Sequence, residues 1–230
     1  MNQSDQSQTI KNLLLILGSP RKNGNSELIA DQIVKGFSDA TSIIHFIKAN
    51  ELNVLSCTGC LKCNHIGKCV THEDGWHKFL KLFLSATHII IASPIYFHHL
   101  PGPLKIVLDR FRSQIQIQMT ANGLIHKPRW KSSKKYAFVF SLGDRRDQDA
   151  LPAKNILTYW AKLFGAKNED ISVIIGKGLA IRKQVSLSQE RLKILYKKLN
   201  LPAELVESDY KTNQQLLHGA FELGTNWAKN

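Results

Sequence analysis

The four cysteines of this 230-residue sequence all lie within one short segment. Disulfides that staple a secreted chain usually join distant cysteines, so this crowding indicates a ligand or redox cluster in a reducing compartment. Cysteines spaced by three residues, with a fourth after a turn at Gly67, suit a compact iron-sulfur cluster, whereas zinc usually takes two separated Cys-x2-Cys pairs. His65 and His72 keep zinc open, and an unliganded, redox-active thiol loop is a third alternative. The candidate ligands are Cys57, Cys60, Cys63 and Cys69.

A second candidate site is the polar segment 18–26, which reads Gly-Ser-Pro-Arg-Lys-Asn-Gly-Asn-Ser between an apolar run and a helical pattern. The first turn of a helix presents free backbone amides and the positive end of its dipole, so an anion is stabilised there. The segment is neither a P-loop nor a Gly-x-Gly-x-x-Gly turn. In the alternative interpretation, Asn25 or Ser26 merely caps the helix. The candidate phosphate ligands are Ser19, Arg21, Asn25 and Ser26.

A third segment, 93–103, follows another apolar run and is rich in proline and aromatic residues. Its apolar side chains would form a wall that suits a flat, conjugated ring, and they belong to Pro94, Ile95, Tyr96 and Phe97. A phosphate loop and such a wall at one edge of a sheet describe a site for flavin mononucleotide, FMN. The alternative is that Tyr96 and Phe97 only cover the sheet edge.

Five apolar runs bounded by Gly, Pro, Ser or Asn predict strands that are buried on both faces. The predicted strands are 12–17, 42–47, 87–92, 136–140 and 171–175. Between them apolar residues recur at helical spacing, as in Ile29, Ile33 and Phe37. Strands separated by helices pair in parallel, so the predicted fold class is α/β, a doubly wound, five-stranded parallel sheet. The order expected for it is the flavodoxin-like one, 2-1-3-4-5. In that order the first and third strands are neighbours, which brings segments 18–26 and 93–103 together.

The predicted organisation is one domain with appended ends. Residues 1–10 form a polar N-terminal tail, residues 11–180 an FMN-binding domain with the cysteine loop 57–69, and residues 181–230 a C-terminal helical extension. Two helices are predicted in the extension, near 187–199 and 213–227, folded back on the sheet or placed between subunits. The N-terminus lacks a signal-peptide pattern and the longest apolar runs are far shorter than a bilayer requires, so we expect a cytoplasmic protein without a membrane span.

Segments 18–26 and 93–96, together with Leu104-Lys105 leading to Asp109-Arg110, resemble the NADPH-dependent FMN reductase family of flavodoxin-like proteins. The resemblance covers roughly residues 11–180. It implies that Ser19, Arg21, Asn25 and Ser26 grip the FMN phosphate and that residues 94–97 lie at the isoalloxazine ring. A third flavin loop of the family corresponds to residues 141–146, where Gly143 is the glycine present. The family also implies a homodimer or homotetramer.

The cysteine spacing is similar to that of the iron-sulfur flavoproteins, a branch of the same family. This resemblance implies a 4Fe-4S cluster on Cys57, Cys60, Cys63 and Cys69. The predicted protein is therefore an FMN-dependent NAD(P)H oxidoreductase or electron-transfer flavoprotein, with NAD(P)H as donor and a quinone, a ferredoxin-like carrier or another acceptor. An FMN or quinone reductase without a cluster is the alternative. No nucleophile–base pair is evident, so no side chain is predicted to be catalytic.

The net charge of +13 arises from 31 Lys and Arg against 18 Asp and Glu. A basic patch at 127–135 could contact nucleic-acid phosphates while its indole stacks on a base, which would make the protein a non-catalytic binding module. It could also steer NADPH or an acidic electron carrier toward the flavin, or simply be solvated. No recognised nucleic-acid-binding motif flanks it, so nucleic acid is not the expected partner. The patch consists of Lys127, Arg129, Trp130, Lys131, Lys134 and Lys135.

Overall fold

The computed structural model of the chain describes residues 11–38, 42–71 and 73–229. The predicted tail at 1–10 and His72 lie outside the described residues. The strands are β1 Lys11–Leu17, β2 Ser42–Lys48, β3 His88–Pro94, β4 Ile115–Thr120, β5 Gly123–Pro128, β6 Lys135–Ser141 and β7 Ile171–Gly176. The α-helices are α1 Asn25–Phe37, α2 Lys62–Ile66, α3 Trp76–Ser85, α4 Gly102–Arg110, α5 Leu151–Leu163, α6 Gln189–Lys198 and α7 Leu205–Lys229.

Five strands form one parallel sheet in the order β2-β1-β3-β6-β7. Numbered among themselves, these strands have the order 2-1-3-4-5, which confirms the predicted fold class. The central strands β1, β3 and β6 are buried on both faces, as expected for a parallel sheet with helices packed over each side. None of the helices in the described part of the chain combines the length and apolar composition needed to cross a bilayer.

Each face of the sheet has its own core. The face under α3, α4 and α5 is aromatic, and Phe111 makes edge-on contacts with Trp76 at 5.0 Å and with Trp160 at 4.9 Å between ring centroids. Such edge-to-face pairs add to the stabilisation that comes from burying the rings. The core on the other face lies between the sheet and the helices α1 and α7 and is mainly aliphatic, and α1 contributes Ile29 and Ile33 to it. The helical spacing seen in the sequence therefore marks the buried stripe of α1.

The C-terminal helix α7 packs directly on α1. A Cβ added at Gly224 would lie 2.0 Å from the carbonyl oxygen of Ile33, and one added at Gly36 would lie 2.2 Å from that of Phe221. The two backbones approach this closely because glycine has no side chain. Residues near the end of α7 also enter the core, with Ala220 fully buried. Helix α1, which begins within the segment 18–26, therefore packs against α7, the last helix of the chain.

An antiparallel hairpin, β4 paired with β5, stands apart from the main sheet and was not among the five predicted strands. Its sequence nevertheless carries the signal, because Ile115, Ile117 and Met119 alternate with polar residues before an Asn-Gly pair. Asn-Gly between alternating strands favours a tight hairpin turn, and Gly123 has a φ of 114°.

The basic patch is largely occupied by structural contacts. Trp130 stacks on Phe164 at 4.4 Å between ring centroids, with only 14° between the ring planes. Lys134 is buried, and its ammonium donates to the carbonyl oxygens of Leu84, at 2.8 Å, and Ala86 at the end of α3. Burial lowers the pKa of Lys134 to about 8. One face of the indole is thus covered by Phe164.

Replacing Gly224 by alanine should destabilise the protein by about 2 kcal/mol or more, because the new methyl group would force α1 and α7 apart. Gly219→Ala in the same helix is the matched control, since a Cβ there would meet nothing within 4 Å. Alanine at 219 should be neutral or stabilise by about 0.5–1 kcal/mol, because glycine is a poor helix former. Urea unfolding measures both variants. Equal unfolding midpoints for the two would contradict the close packing of α1 on α7.

Candidate functional site

The phosphate loop leaves β1 in close contact with β3. The amide of Gly18 donates to the carbonyl oxygen of Ala92 at 2.8 Å. A Cβ at Gly18 would lie 2.8 Å from Leu104 Cδ2 and 2.9 Å from Ser93 Oγ, so only glycine fits without displacing its neighbours. The loop therefore turns away directly beside the start of the second candidate segment. The predicted meeting of the two segments is present in the structure.

The first turn of α1 presents an anion-binding surface. The residue that precedes the helix is Gly24, so neither Asn25 nor Ser26 is the capping residue, and no side-chain oxygen caps the first amides. Instead, the amide of Gly24 donates to Glu27 Oε2 at 3.3 Å. Ser19 and Ser26 are buried in the wall of the pocket that faces this turn. Free helix amides and hydroxyl donors together suit a bound phosphate.

Arg21 lines the same pocket and is exposed. Within the described part of the chain its guanidinium has neither a carboxylate partner nor a side-chain hydrogen bond. Its backbone amide donates to Ser19 Oγ at 3.1 Å, which orients the loop. A guanidinium without an internal partner is available to form paired hydrogen bonds with a phosphate.

Asn25 also lines the pocket, but its side chain is already engaged. Its amide nitrogen donates to the carbonyl oxygens of Leu179, at 3.0 Å, and Ile181, at 2.8 Å. Its amide oxygen accepts from the backbone amide of Val185 at 3.1 Å. Both hydrogens of the amide are used, so the side chain is not free to donate to a phosphate as the sequence suggested. The correction arises because the partners lie far along the chain, beyond the reach of local sequence patterns.

The apolar wall is formed by three of its four predicted members, since Pro94, Ile95 and Tyr96 line the pocket. Phe97 does not line it, and its side chain is fully exposed to solvent. Residues 96–99 form a tight turn closed by two hydrogen bonds between Tyr96 and His99, at 2.9 and 3.0 Å. Its central residues have φ of 48° at Phe97 and 62° at His98, which is the left-handed region that bulky residues rarely adopt.

The third loop, 141–146, closes another side of the pocket. Ser141, Leu142 and Gly143 line it. Leu179, Ala180 and Arg182 form the fourth side of the pocket, which was not predicted from the sequence. A predicted domain boundary at 180 divides this fourth segment. Its only sequence signals are glycines and a basic pair, and these are typical of many surface loops.

The cysteine loop is closed at its base by a buried ion pair between Asp74 and Arg110, whose side chains are 0% and 1% exposed. Asp74 accepts hydrogen bonds from the amides of Leu55, at 3.0 Å, and Trp76, at 3.1 Å. Arg110 donates to the carbonyl oxygen of Leu55 at 2.8 Å. Burial alone would raise the pKa of Asp74, but the hydrogen bonds from Arg110 and the two amides outweigh it and hold that pKa below its usual value.

Guanidinium groups lie beside two of the cysteine sulfurs. Arg110 donates to Cys69 Sγ at 3.3 Å, and Arg112 approaches Cys63 Sγ at 3.7 Å. These contacts place positive charge next to the sulfurs of Cys69 and Cys63. All four cysteines line one pocket, and none is in a disulfide.

The sulfurs do not converge as a finished metal site. Among the described residues, no three His, Cys, Asp or Glu side chains are grouped closely enough to hold a metal ion. Cys57 and Cys60 are exposed, whereas Cys63 is buried. A shared ligand would require the exposed arm of the loop to turn toward Cys63 and Cys69. The four thiols are therefore chemically suited to bind a metal cluster, although in this structure the loop is open and its sulfurs are not brought together.

The hairpin β4–β5 supports α2, which carries Cys63. The side chain of Asn64 donates to the carbonyl oxygen of Ile117 at 2.9 Å and accepts from its amide at 3.0 Å, as a neighbouring strand would. Arg129 donates to the carbonyl oxygen of Cys63 at 2.6 Å. A residue assigned by sequence to the basic patch thus holds the cysteine loop.

The family assignment follows from a match over the part of the chain that builds these loops. A family model described as NADPH-dependent FMN reductase matches residues 12–153, more than half of the chain. The chain belongs to the NADPH-dependent FMN reductase family. The resemblance inferred from segments 18–26 and 93–96 is confirmed. The match ends before residues 179–182, so the family model does not cover the fourth side of the pocket.

Curated relatives of this FMN reductase family member are iron-sulfur flavoproteins. One from Methanocaldococcus jannaschii is 33% identical over 97 residues, 42% of this chain and 50% of that protein. Another from Methanosarcina thermophila is 36% identical over 100 residues, 41% of this chain and 49% of that protein. The matched part thus spans about half the length of the curated relatives.

Solved structures share the fold of this family member at low identity. An FMN-dependent NADH-azoreductase from Bacillus anthracis, in complex with FMN, has a TM-score of 0.64 at 16% identity and covers 95% of this chain and 100% of its own. An NAD(P)H:quinone oxidoreductase from Methanothermobacter marburgensis has a TM-score of 0.60 at 11% identity, covering 95% and 96%. At such identities the likeness establishes the flavodoxin-like fold.

Replacing Arg110 by glutamine should destabilise the protein by about 3–5 kcal/mol, because the buried charge of Asp74 would lose its partner. The matched control is Lys105→Gln in the same helix, which removes an exposed pair with Asp109 at 2.6 Å. Loss of that pair should cost about 0.5 kcal/mol or less. Urea unfolding at pH 7 compares the two. Similar losses for both variants would refute a special role for the buried pair.

Proposed function

We propose that the protein is an FMN-dependent NAD(P)H oxidoreductase. The observation that carries the proposal is the pocket at the β1–β3 edge, where uncapped amides of α1 and the guanidinium of Arg21 share one cavity with an apolar wall. Amides and a guanidinium recognise a phosphate, and the wall suits a conjugated ring. Membership of the FMN reductase family and the FMN-bound azoreductase of similar fold support the same assignment.

The chain's own residues would bind and orient the flavin. Ser19, Ser26 and Arg21 hold the phosphate, while Pro94 and Ile95 shield the ring from water. Gly143 lies in the facing wall. When bound, FMN would supply the redox chemistry, namely hydride exchange with NAD(P)H and one- or two-electron transfer to an acceptor. The protein therefore contributes position and electrostatics rather than an acid, a base or a nucleophile.

The strained turn at 96–99 lies at the mouth of this pocket. Tyr96 lines the pocket and is 40% exposed, while Phe97 projects into solvent from a left-handed backbone. Backbone strain of this kind persists where the surroundings enforce it and is concentrated at functional sites. The exposed ring of Phe97 offers a stacking surface to the nicotinamide or to an electron acceptor. In a homodimer or homotetramer it could instead contact another subunit.

We also propose that Cys57, Cys60, Cys63 and Cys69 bind a 4Fe-4S cluster. Four cysteines line one pocket, and two guanidiniums lie beside their sulfurs. The iron-sulfur flavoproteins to which the chain is similar favour this assignment over zinc or free thiols. Such a cluster would supply one-electron chemistry, which suits a ferredoxin-like carrier or a quinone as acceptor. Four unpaired thiols suit the reducing conditions of the cytoplasm.

The flavin assignment is tested by titrating the purified protein, freed of flavin, with FMN while flavin fluorescence is followed. Arg21→Gln should weaken FMN binding by about tenfold or more, because a charge-assisted contact to the phosphate is lost. Lys22→Gln, an adjacent exposed cation that does not line the pocket, should have little effect. The FMN-loaded protein should oxidise NADH or NADPH steadily with a quinone acceptor. Absence of FMN binding by the wild-type chain would exclude the proposed function.

The cluster is tested by measuring iron, acid-labile sulfide and zinc in anaerobically purified protein. About four iron atoms per chain are expected, and Cys63→Ser should lower that content. Thr58→Ala, which changes a pocket residue that is not a proposed ligand, should leave it unchanged. Less than about one iron per chain without zinc would indicate a thiol loop, and stoichiometric zinc would indicate a zinc site.

A further inference from the structure

The loop that follows β7, residues 177–186, forms the fourth side of the phosphate pocket. Leu179, Ala180 and Arg182 line the pocket from this loop. The family match ends at residue 153, so it assigns no function to these residues. The loop is joined to the third loop by backbone hydrogen bonds, from Leu179 to Leu142 and from Gly178 to Asp144, each at 2.8 Å.

Asn25, in the first turn of α1, holds the 177–186 loop by hydrogen bonds. Three hydrogen bonds of 2.8–3.1 Å join the side chain of Asn25 to the backbone of Leu179, Ile181 and Val185. They use both hydrogens and the oxygen of the amide. Asn25 is buried at the first turn of α1, so the loop is fixed relative to the helix amides that face the pocket.

The loop is also braced from within. Gln184 is 2% exposed, donates to the carbonyl oxygen of Gly178 at 2.7 Å and accepts from the amide of Ile181 at 3.1 Å. Val185 is fully buried in the core shared with α1. Arg182 therefore projects from a segment whose backbone is held on both sides of it.

Arg182 has a free charge. No carboxylate or hydrogen-bond acceptor in the described ranges pairs with its guanidinium, and the same is true of Arg21 in the same pocket. A phosphate monoester carries about two negative charges near neutral pH and presents three acceptor oxygens. Two guanidiniums, each able to make paired hydrogen bonds, match that charge better than one.

We propose that Arg182 is a second guanidinium ligand for the FMN phosphate and that Asn25 is the positioning residue that places it. The inference rests on the proposed flavin function. The 177–186 loop, which lies beyond the matched family region, would then contribute directly to the preference for FMN over riboflavin. Asn25 would act through this loop in place of direct phosphate contact.

The test compares FMN with riboflavin, which lacks the phosphate. The full-length protein, freed of flavin, is titrated with each at physiological salt while flavin fluorescence is followed. Arg182→Gln should weaken FMN binding by about 10–100-fold and change riboflavin binding by less than about twofold, since only the phosphate contact is lost. Lys183→Gln is the matched control, because this neighbouring exposed cation does not line the pocket.

The positioning role of Asn25 is tested in the same titrations. Asn25→Ala should weaken FMN relative to riboflavin, and adding Arg182→Gln to it should cost less than the same change costs in the wild-type chain. Fully additive effects would overturn the positioning role. If the Asn25 variant does not fold, the comparison of Arg182→Gln with Lys183→Gln still decides the role of Arg182.

The outcomes separate this inference from the proposed function. Wild-type protein that binds FMN, with equal affinity in the Arg182→Gln variant, overturns the inference and leaves the flavin function intact. Wild-type protein that binds neither flavin overturns both. A changed preference for NADPH over NADH, with unchanged FMN affinity, also overturns the inference, because Arg182 would then serve the phosphate of the donor.

Discussion

Parallel pairing of β1 with β3 is the constraint on which the flavin pocket depends. It places the carboxyl ends of two strands side by side, and loops at such a point open outward and leave a crevice. Gly18 sharpens the arrangement, because its missing side chain lets the phosphate loop start against Ser93 and Leu104. The proposed phosphate ligands and the proposed apolar wall are distant in sequence, yet they share one cavity through this single strand pairing.

Helix α4 links that cavity to the cysteine loop. The chain runs from the apolar wall through the turn at 96–99 into α4, and α4 ends at Arg110, which is buried against Asp74. Arg112 and Arg129 approach the same loop from the hairpin side. Three arginines are therefore gathered around the cysteine loop, and two of them lie beside the sulfurs of Cys69 and Cys63.

Local patterns were sufficient to predict the sheet, because each strand is a short apolar run and parallel order follows from the intervening helices. They were also sufficient for Pro94, Ile95 and Tyr96, which follow one strand directly. They failed for Asn25, whose partners follow β7, and for Arg129, whose partner lies on α2. Those contacts depend on tertiary structure. The hairpin differs from these cases, since Asn122-Gly123 between alternating strands was a readable signal.

The contact of α1 with α7 has a consequence for the order in which the protein matures during synthesis. Gly36 and Gly224 are separated by about 190 residues, yet their helices touch backbone to backbone. Contacts of such long sequence separation form late, because chain closure must precede them. Helix α1 therefore packs, through its C-terminal half, on a helix that leaves the ribosome long after it. The packing of α1 against α7 can therefore be complete only after residue 224 has been translated.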